Sequence, residues 1–153
     1  FFAMREASLA VVARADEMLS PDRFADPLDA IECSALTFFE TLEASPEVRE
    51  IFEIMTLRCE YVDEFAPVLQ EVNRPCRDFL DRLREAYRRA AEVGSLRPGL
   101  DPEAMALDTV SFVAGLFNNW IAASPGDVLR DKAAGMIRNH LALRRNDLVR
   151  KDG

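Results

Sequence analysis

Between Ala104 and Gly126 the chain carries a single charged residue, Asp108, although 30% of all its residues are charged. The stretch opens after Asp101-Pro102, closes on Ser124-Pro125, and reads AMALDTVSFVAGLFNNWIAA between. A helix of this composition is apolar nearly all round, so it must be buried on most sides. A single domain of 153 residues rarely surrounds one helix so fully. A partner surface, most simply a second copy of the chain, is therefore expected to cover it. The rival reading is a membrane span. Asp108, Thr109, Ser111, Asn118 and Asn119 interrupt the run, and no cluster of Lys or Arg flanks it. Phe1-Phe2-Ala3-Met4-Arg5-Glu6 shows no basic segment leading into an apolar one, so no secretory signal is visible. The expectation is a soluble, cytoplasmic protein with no membrane partner.

The hydrophobic fraction of 49% marks a globular chain with room for one core. A net charge of -8 argues against this stretch binding nucleic acid by itself, because neutralising phosphates needs a basic footprint. Cys33, Cys59 and Cys76 are widely spaced and odd in number. They read as small core residues in a reducing compartment, without a disulfide framework.

Five dipeptides punctuate the chain: Ser20-Pro21, Asp26-Pro27, Ser45-Pro46, Asp101-Pro102 and Ser124-Pro125. An apolar-periodic run follows four of them. Ser or Asp accepts a bond from the first turn, and Pro at the first helical position has no N–H to leave unpaired. Helices are expected to start near 27, 46, 102 and 125, with Asp29, Glu47, Glu103 and Asp127 at the positive end of each dipole. The fold is read as all-α, a single domain of about six helices: 2–19, 27–43, 46–58, 62–93, 102–123 and 125–145. Leu28, Ile31, Ala35, Phe38, Phe39 and Leu42 share a side of the second. Val48, Ile51, Phe52, Met55 and Cys59 do so in the third. In the fourth, Val62, Phe65, Leu69, Val72, Cys76, Phe79, Leu83 and Tyr87 recur every three or four positions. Pro75 interrupts that stripe, so a kink or break near Arg74 is expected. Pro67 belongs to a first turn or boundary. No strand alternation, repeat or low-complexity segment is present.

Little in the sequence supports catalysis. The only histidine, His140, lies late in the last helix between Arg138 and Arg144, where a structural or interface role is favoured. No G-x-S-x-G, P-loop, G-x-G-x-x-G or Glu-x-x-His pair occurs, so neither a metal nor a cofactor is expected. What remains is an apolar, aromatic interior. Phe38, Phe52, Phe65, Phe79, Phe112 and Phe117 fall on inward stripes, which most often means core. Small residues opposite them, Ala35, Cys59, Cys76, Ala114 and Gly115, leave room for a ligand instead. Glu53 and Glu60 are the carboxylates placed to meet a cationic ligand, with solvation as their default.

Three marks carry a resemblance. Arg58-Cys59-Glu60-Tyr61, after Glu53-Ile54-Met55-Thr56-Leu57, resembles a helix junction of the TetR-type transcriptional repressors. Asp26-Pro27-Leu28 opens a helix as it does there. Gly115-Leu116 followed by Trp120 matches their penultimate helix. The likeness runs from Leu19 to Arg145 and is nearest to the AcrR and TtgR branch, which controls multidrug efflux pumps. It implies a ligand-sensing domain that forms a homodimer through its last two helices. It also implies a mostly apolar pocket for a hydrophobic small-molecule effector. Matching positions are Ile31, Ala35 and Phe38, then Phe52, Met55, Thr56 and Cys59. Val72, Cys76, Phe79 and Leu83 follow on the long helix, with Val110, Val113, Ala114 and Phe117 opposite. Thr56, Phe52 and Ala114 stand where relatives carry His, Asn or Asp, which implies a more apolar pocket. The family's N-terminal helix-turn-helix has no counterpart in this sequence, so operator DNA is expected to be reached only through that module. The alternative is a constitutive helical interaction module with a filled core.

Overall fold

The computed structural model describes residues 2–58 and 66–147; at positions 2, 4, 57, 58, 66, 68–73, 75 and 76 it describes the backbone alone. Six α-helices follow one another: α1 (Phe2–Glu17), α2 (Pro27–Ala44), α3 (Pro46–Glu53), α4 (Ala66–Glu92), α5 (Pro102–Ala122) and α6 (Val128–Ala142). A π-helical turn, Ile54–Arg58, continues α3. The described residues form no named strand, in keeping with the all-α reading.

Helix starts follow the chemistry of their caps. Asp26 Oδ1 accepts from the Leu28 N–H at 2.9 Å, the Ser45 hydroxyl from Val48 at 3.4 Å, and Asp101 Oδ1 from Glu103 at 3.2 Å. Each precedes a Pro at the first helical position. The fourth expected start is displaced. Ser124-Pro125-Gly126 is a turn with Gly126 at φ 83°, and α6 begins at Val128 with Asp127 as its cap. Asp127 Oδ1 holds the Leu129 N–H at 2.9 Å. The left-handed glycine ends the turn just before this stronger acceptor, so Asp127 and not Ser124 sets the start.

Two further expectations change. The third helix is α-helical only to Glu53 before it widens into the π turn. The fourth passes Pro75 without a break, since one missing donor does not outweigh the hydrogen-bond ladder on either side. Pro67 does sit in its first turn.

The core runs between α1, α2, α4, α5 and α6. Val11, Leu28, Ile31, Leu42, Leu83, Tyr87, Ile137 and Leu141 are its most deeply buried large side chains. Burying each such side chain contributes roughly 1.5–3 kcal/mol. The chain end is clasped onto this core. Arg97 N donates to the Arg144 carbonyl and Asn146 N to that of Ser95, both at 2.8 Å. The Arg145 guanidinium, only 5% exposed, faces Asp29 at 2.8 Å, Asp26 at 3.1 Å and Glu32 at 3.5 Å.

The nearly uncharged helix is not enclosed by its own chain. On α5, Ala106, Thr109, Leu116, Trp120 and Ile121 are buried. Leu107, Ser111, Gly115, Asn119 and Ala122 form an exposed stripe on another side. No described helix is long and apolar enough to cross a membrane.

Candidate functional site

Five of the six helices leave a cavity of about 400 Å³ between them. Ser8, Val12 and Ala15 of α1 form one wall, and Ile31, Ala35 and Phe38 of α2 form the next. Phe52 of α3 contributes with Met55 and Thr56 of the π turn, and Phe79 and Leu83 come from α4. Opposite lie Thr109, Val110, Val113, Ala114, Phe117 and Asn118 of α5. None of these residues carries a charge. A space of this size, lined by apolar and aromatic groups with few polar ones, has the character of a small-molecule site.

Helical spacing explains why these residues converge. Ile31, Ala35 and Phe38 are four and three apart, and Thr109, Val113 and Phe117 follow at steps of four, so each set lies on one face. At one end, Phe117 is the hub of an aromatic cluster. Its ring meets Phe38 at 5.7 Å and Phe52 at 5.5 Å, both edge to face. Phe38 in turn meets Phe39 at 5.2 Å, and Phe39 meets Trp120 at 6.0 Å. Contacts of this type add about 0.5–1.5 kcal/mol each beyond area burial.

The other end is marked by a buried polar chain. Thr109 Oγ1 lies 2.6 Å from the Tyr87 hydroxyl and 2.9 Å from His140 Nε2. Burial raises the Tyr87 pKa against the weaker lowering effects of Thr109, Arg144 and Arg145, so the phenol stays protonated. Burial likewise pushes His140 below its ordinary value, keeping the imidazole neutral at neutral pH. The ring stacks on Phe112 with centroids 4.3 Å apart. The His140 carbonyl accepts from Arg144, whose guanidinium also pairs with Asp108. His140 is thus a structural residue joining α6 to α5, as its position suggested.

Twelve of the fifteen positions expected from the sequence border this one space: Ile31, Ala35, Phe38, Phe52, Met55, Thr56, Phe79, Leu83, Val110, Val113, Ala114 and Phe117. Cys59 lies outside the described residues, as does Glu60, and for Val72 and Cys76 only the backbone is described. Glu53 is half-buried and partnered, and does not line the cavity. Cys33 is a free thiol.

Five lining residues were not expected: Ser8, Val12, Ala15, Thr109 and Asn118. Ser8, Val12 and Ala15 sit four and three apart on α1 and so share a face. Its small and polar members gave it little contrast. Thr109 and Asn118 are polar residues in the uncharged run; the spacing of four to Val113 and Phe117 could have found Thr109, whereas nothing in the sequence marks Asn118.

Residues 26–145 match the family profile of the MAATS-type transcriptional repressor, C-terminal region. The chain is 30% identical over 115 residues to the HTH-type transcriptional repressor BepR of Brucella suis, covering 71% of this chain and 53% of BepR. It is 26% identical over 108 residues to the HTH-type transcriptional regulator AcrR of Shigella flexneri, covering 71% of this chain and 50% of AcrR. To the HTH-type transcriptional regulator TtgR of Pseudomonas putida it is 30% identical over 141 residues, 88% of this chain and 66% of TtgR. The chain therefore spans about half the length of BepR and AcrR. Among solved structures it is similar to native NalD, the secondary repressor of the MexAB-OprM multidrug efflux pump in Pseudomonas aeruginosa. The TM-score is 0.76 at 22% identity, over 93% of this chain and 73% of NalD. That likeness establishes the fold.

Proposed function

Because this chain belongs to the TetR-type transcriptional repressors, within their MAATS group, we propose that it is the ligand-sensing and dimerisation domain of such a regulator. A hydrophobic small molecule occupies the cavity and releases the intact protein from operator DNA. The observation that carries this reading is a cavity of about 400 Å³ between five helices, whose described lining residues carry no charge. A filled interaction module would have closed that space at the packing density of ordinary protein cores.

The lever for release is α1. Ser8, Val12 and Ala15 on it touch the cavity directly. Its C-terminal end is fixed to α4, where Arg82 meets Asp16 at 3.1 Å and Arg89 donates to the Leu19 carbonyl at 3.3 Å. In the intact regulator the DNA-reading module precedes this helix. Effector that binds one setting of α1 better than the other shifts the population by that difference in affinity, and with it the spacing of the reading heads.

The two reading heads require two copies. The exposed stripe of Leu107, Ser111, Gly115, Asn119 and Ala122 on α5 supports a homodimer through the last two helices. Val128, Gly135 and Ala142 on α6 are likewise exposed, and small residues allow close helix approach. The regulated target is an efflux pump, in line with the role stated for NalD. The protein works in the cytoplasm, where its operator is, and no catalysis is assigned to it.

The test is thermal unfolding of this chain with a panel of neutral hydrophobic compounds. A compound that binds only the folded state stabilises it by about 2.7 kcal/mol at a hundredfold excess over Kd, and so raises the midpoint in a concentration-dependent way. If none of a broad panel moves the midpoint, the constitutive module is the better reading. Sedimentation as a monomer at micromolar concentration would remove the dimer.

A further inference from the structure

On α5 the cavity wall and the outer face of the helix overlap. Ala104, Leu107, Ser111, Ala114 and Asn118 follow one another at steps of three and four, and all five are exposed. That spacing keeps side chains in one line along a helix, and it is the pattern by which helices pack on helices. Ala114 and Asn118 in this line also border the cavity, with Val110, Val113 and Phe117. Asn118 follows Leu107 by eleven residues, which is about three turns. A body laid along Leu107 and Ser111 therefore also lies over Ala114 and Asn118.

The last helix carries the same pattern. Val128, Lys132, Gly135, Asn139 and Ala142 of α6 lie at steps of four and three, and all are exposed. None of them borders the cavity. α6 is held to α5 through His140 on Thr109, and Arg144 just beyond it pairs with Asp108. The described residues cover neither seam.

The chemistry of the two seams fits a second copy of the chain. The exposed charges of α5 are acidic, Glu103 and Asp108, whereas on α6 exposed Lys132 and Arg138 outweigh Asp131. A two-fold contact presents the same face from both copies, and so sets the acidic helix of one against the basic helix of the other. The Ser111 hydroxyl already donates to the Leu107 carbonyl at 2.8 Å, so covering it strands no donor.

Resting on the homodimer and effector-binding readings above, we infer that the second copy closes the cavity. Its helices lie over α5 across Ala114 and Asn118, and the binding site is incomplete in a single chain. An effector against this wall loses more contact with water in the dimer than in the lone chain, which favours binding in proportion to the apolar area removed. Linkage is reciprocal, so the effector tightens the dimer by the factor by which the dimer tightens the effector. Release from the operator then comes from a change of setting within the dimer and not from its dissociation.

The test separates the partner from the wall. Gly135 lies on the α6 seam, and a Cβ added there meets nothing within 4 Å in its own chain. Gly135→Arg leaves the cavity lining untouched and bars close approach of a second copy; Gly135→Ala is the control that permits it. Sedimentation gives the assembly state, circular dichroism the helical content, and the fluorescence of N-phenyl-1-naphthylamine, a neutral aromatic probe, the affinity. The unmodified chain and Gly135→Ala are expected to be dimers that bind the probe. Gly135→Arg is expected to be a folded monomer that binds it roughly fivefold more weakly or worse, the low end of the coupling between linked sites. Dilution of the unmodified chain makes the same comparison without a substitution, and its affinity is expected to fall as dimer gives way to monomer. A folded monomer with undiminished affinity, or constant affinity on dilution, overturns the inference and leaves the cavity a site within one chain. Gly135→Arg that stays dimeric overturns it too, because the seam is then not the contact. An unmodified chain that sediments as a monomer removes the homodimer reading, and one that binds no probe removes the effector-binding reading; either takes this inference with it.

Discussion

The buried hydroxyl of Thr109 makes a sharp prediction because it serves two partners at once. Thr109→Val keeps the shape of the side chain and removes only that hydroxyl. The Tyr87 phenol and His140 Nε2 then both lose their partner. Tyr87 is fully buried and His140 is 9% exposed. Each orphaned group costs about 1–3 kcal/mol, so the substitution should destabilise by roughly 2–6 kcal/mol. Tyr87→Phe is milder. It deletes one neutral hydrogen bond while Thr109 keeps His140, for about 0.5–1.5 kcal/mol. In the double variant only His140 is orphaned, so the combined loss should fall short of the sum by about 1 kcal/mol. Urea unfolding of the four proteins measures all three quantities. For a chain of this length each kcal/mol corresponds to about 2–4 °C in Tm, so calorimetry gives a second reading. If Thr109→Val is no worse than Tyr87→Phe, or if the two losses simply add, Thr109 is not the centre of the chain that joins α4, α5 and α6.

Three further outcomes follow from the same contacts. His140 has a folded pKa depressed by burial below its ordinary 6.5, so the unfolded chain binds the proton more readily. Its contribution to stability is full above pH 6.5 and is lost as pH falls through the lower folded value; His140→Gln should flatten that part of a stability profile. Arg145→Ala strands Asp26, Asp29 and Glu32 together, and because those acids are partly exposed the cost is about 1–3 kcal/mol. Arg145→Lys should recover only part of it in denaturant titrations, since one ammonium cannot face three carboxylates as a guanidinium does. Asp127→Ala should cost about 1 kcal/mol as a lost cap, while Ser124→Ala should be near neutral. The reverse order would return the start of α6 to Pro125.

The elements that were legible in the sequence are those whose signals are local. Asp26-Pro27, Ser45-Pro46 and Asp101-Pro102 each pair an acceptor with a residue that has no N–H, and each opens a helix. Ser124-Pro125 has the same form but is followed directly by Gly126-Asp127, and competition between two caps is decided by backbone geometry. The π turn at Ile54–Arg58 has no residue that marks it, because it is a change of hydrogen-bond register and not of composition. Most of the cavity wall was readable from helical stripes combined with a family resemblance, as with Ile31, Ala35 and Phe38. The contribution of α1 was not, because which helix packs across a gap is a tertiary fact, and Ser8 and Ala15 carry too little apolar contrast. The uncharged character of α5 pointed to a cover for that helix, and among the described residues one stripe of it stays exposed.

The central claim is that the space between the helices is a site and not a packing defect, and filling it tests this most directly. Val113 lines the middle of the α5 wall and is half-buried. Val113→Trp places an indole in the cavity. If the space is a built site, the variant folds with an unfolding midpoint close to that of the unmodified chain and no longer binds, in calorimetry, a neutral hydrophobic compound that stabilises the unmodified chain. In a closed core the same change overpacks and costs about 1–3 kcal/mol or more. A markedly lowered midpoint, or binding of that compound that survives the substitution, would contradict the account.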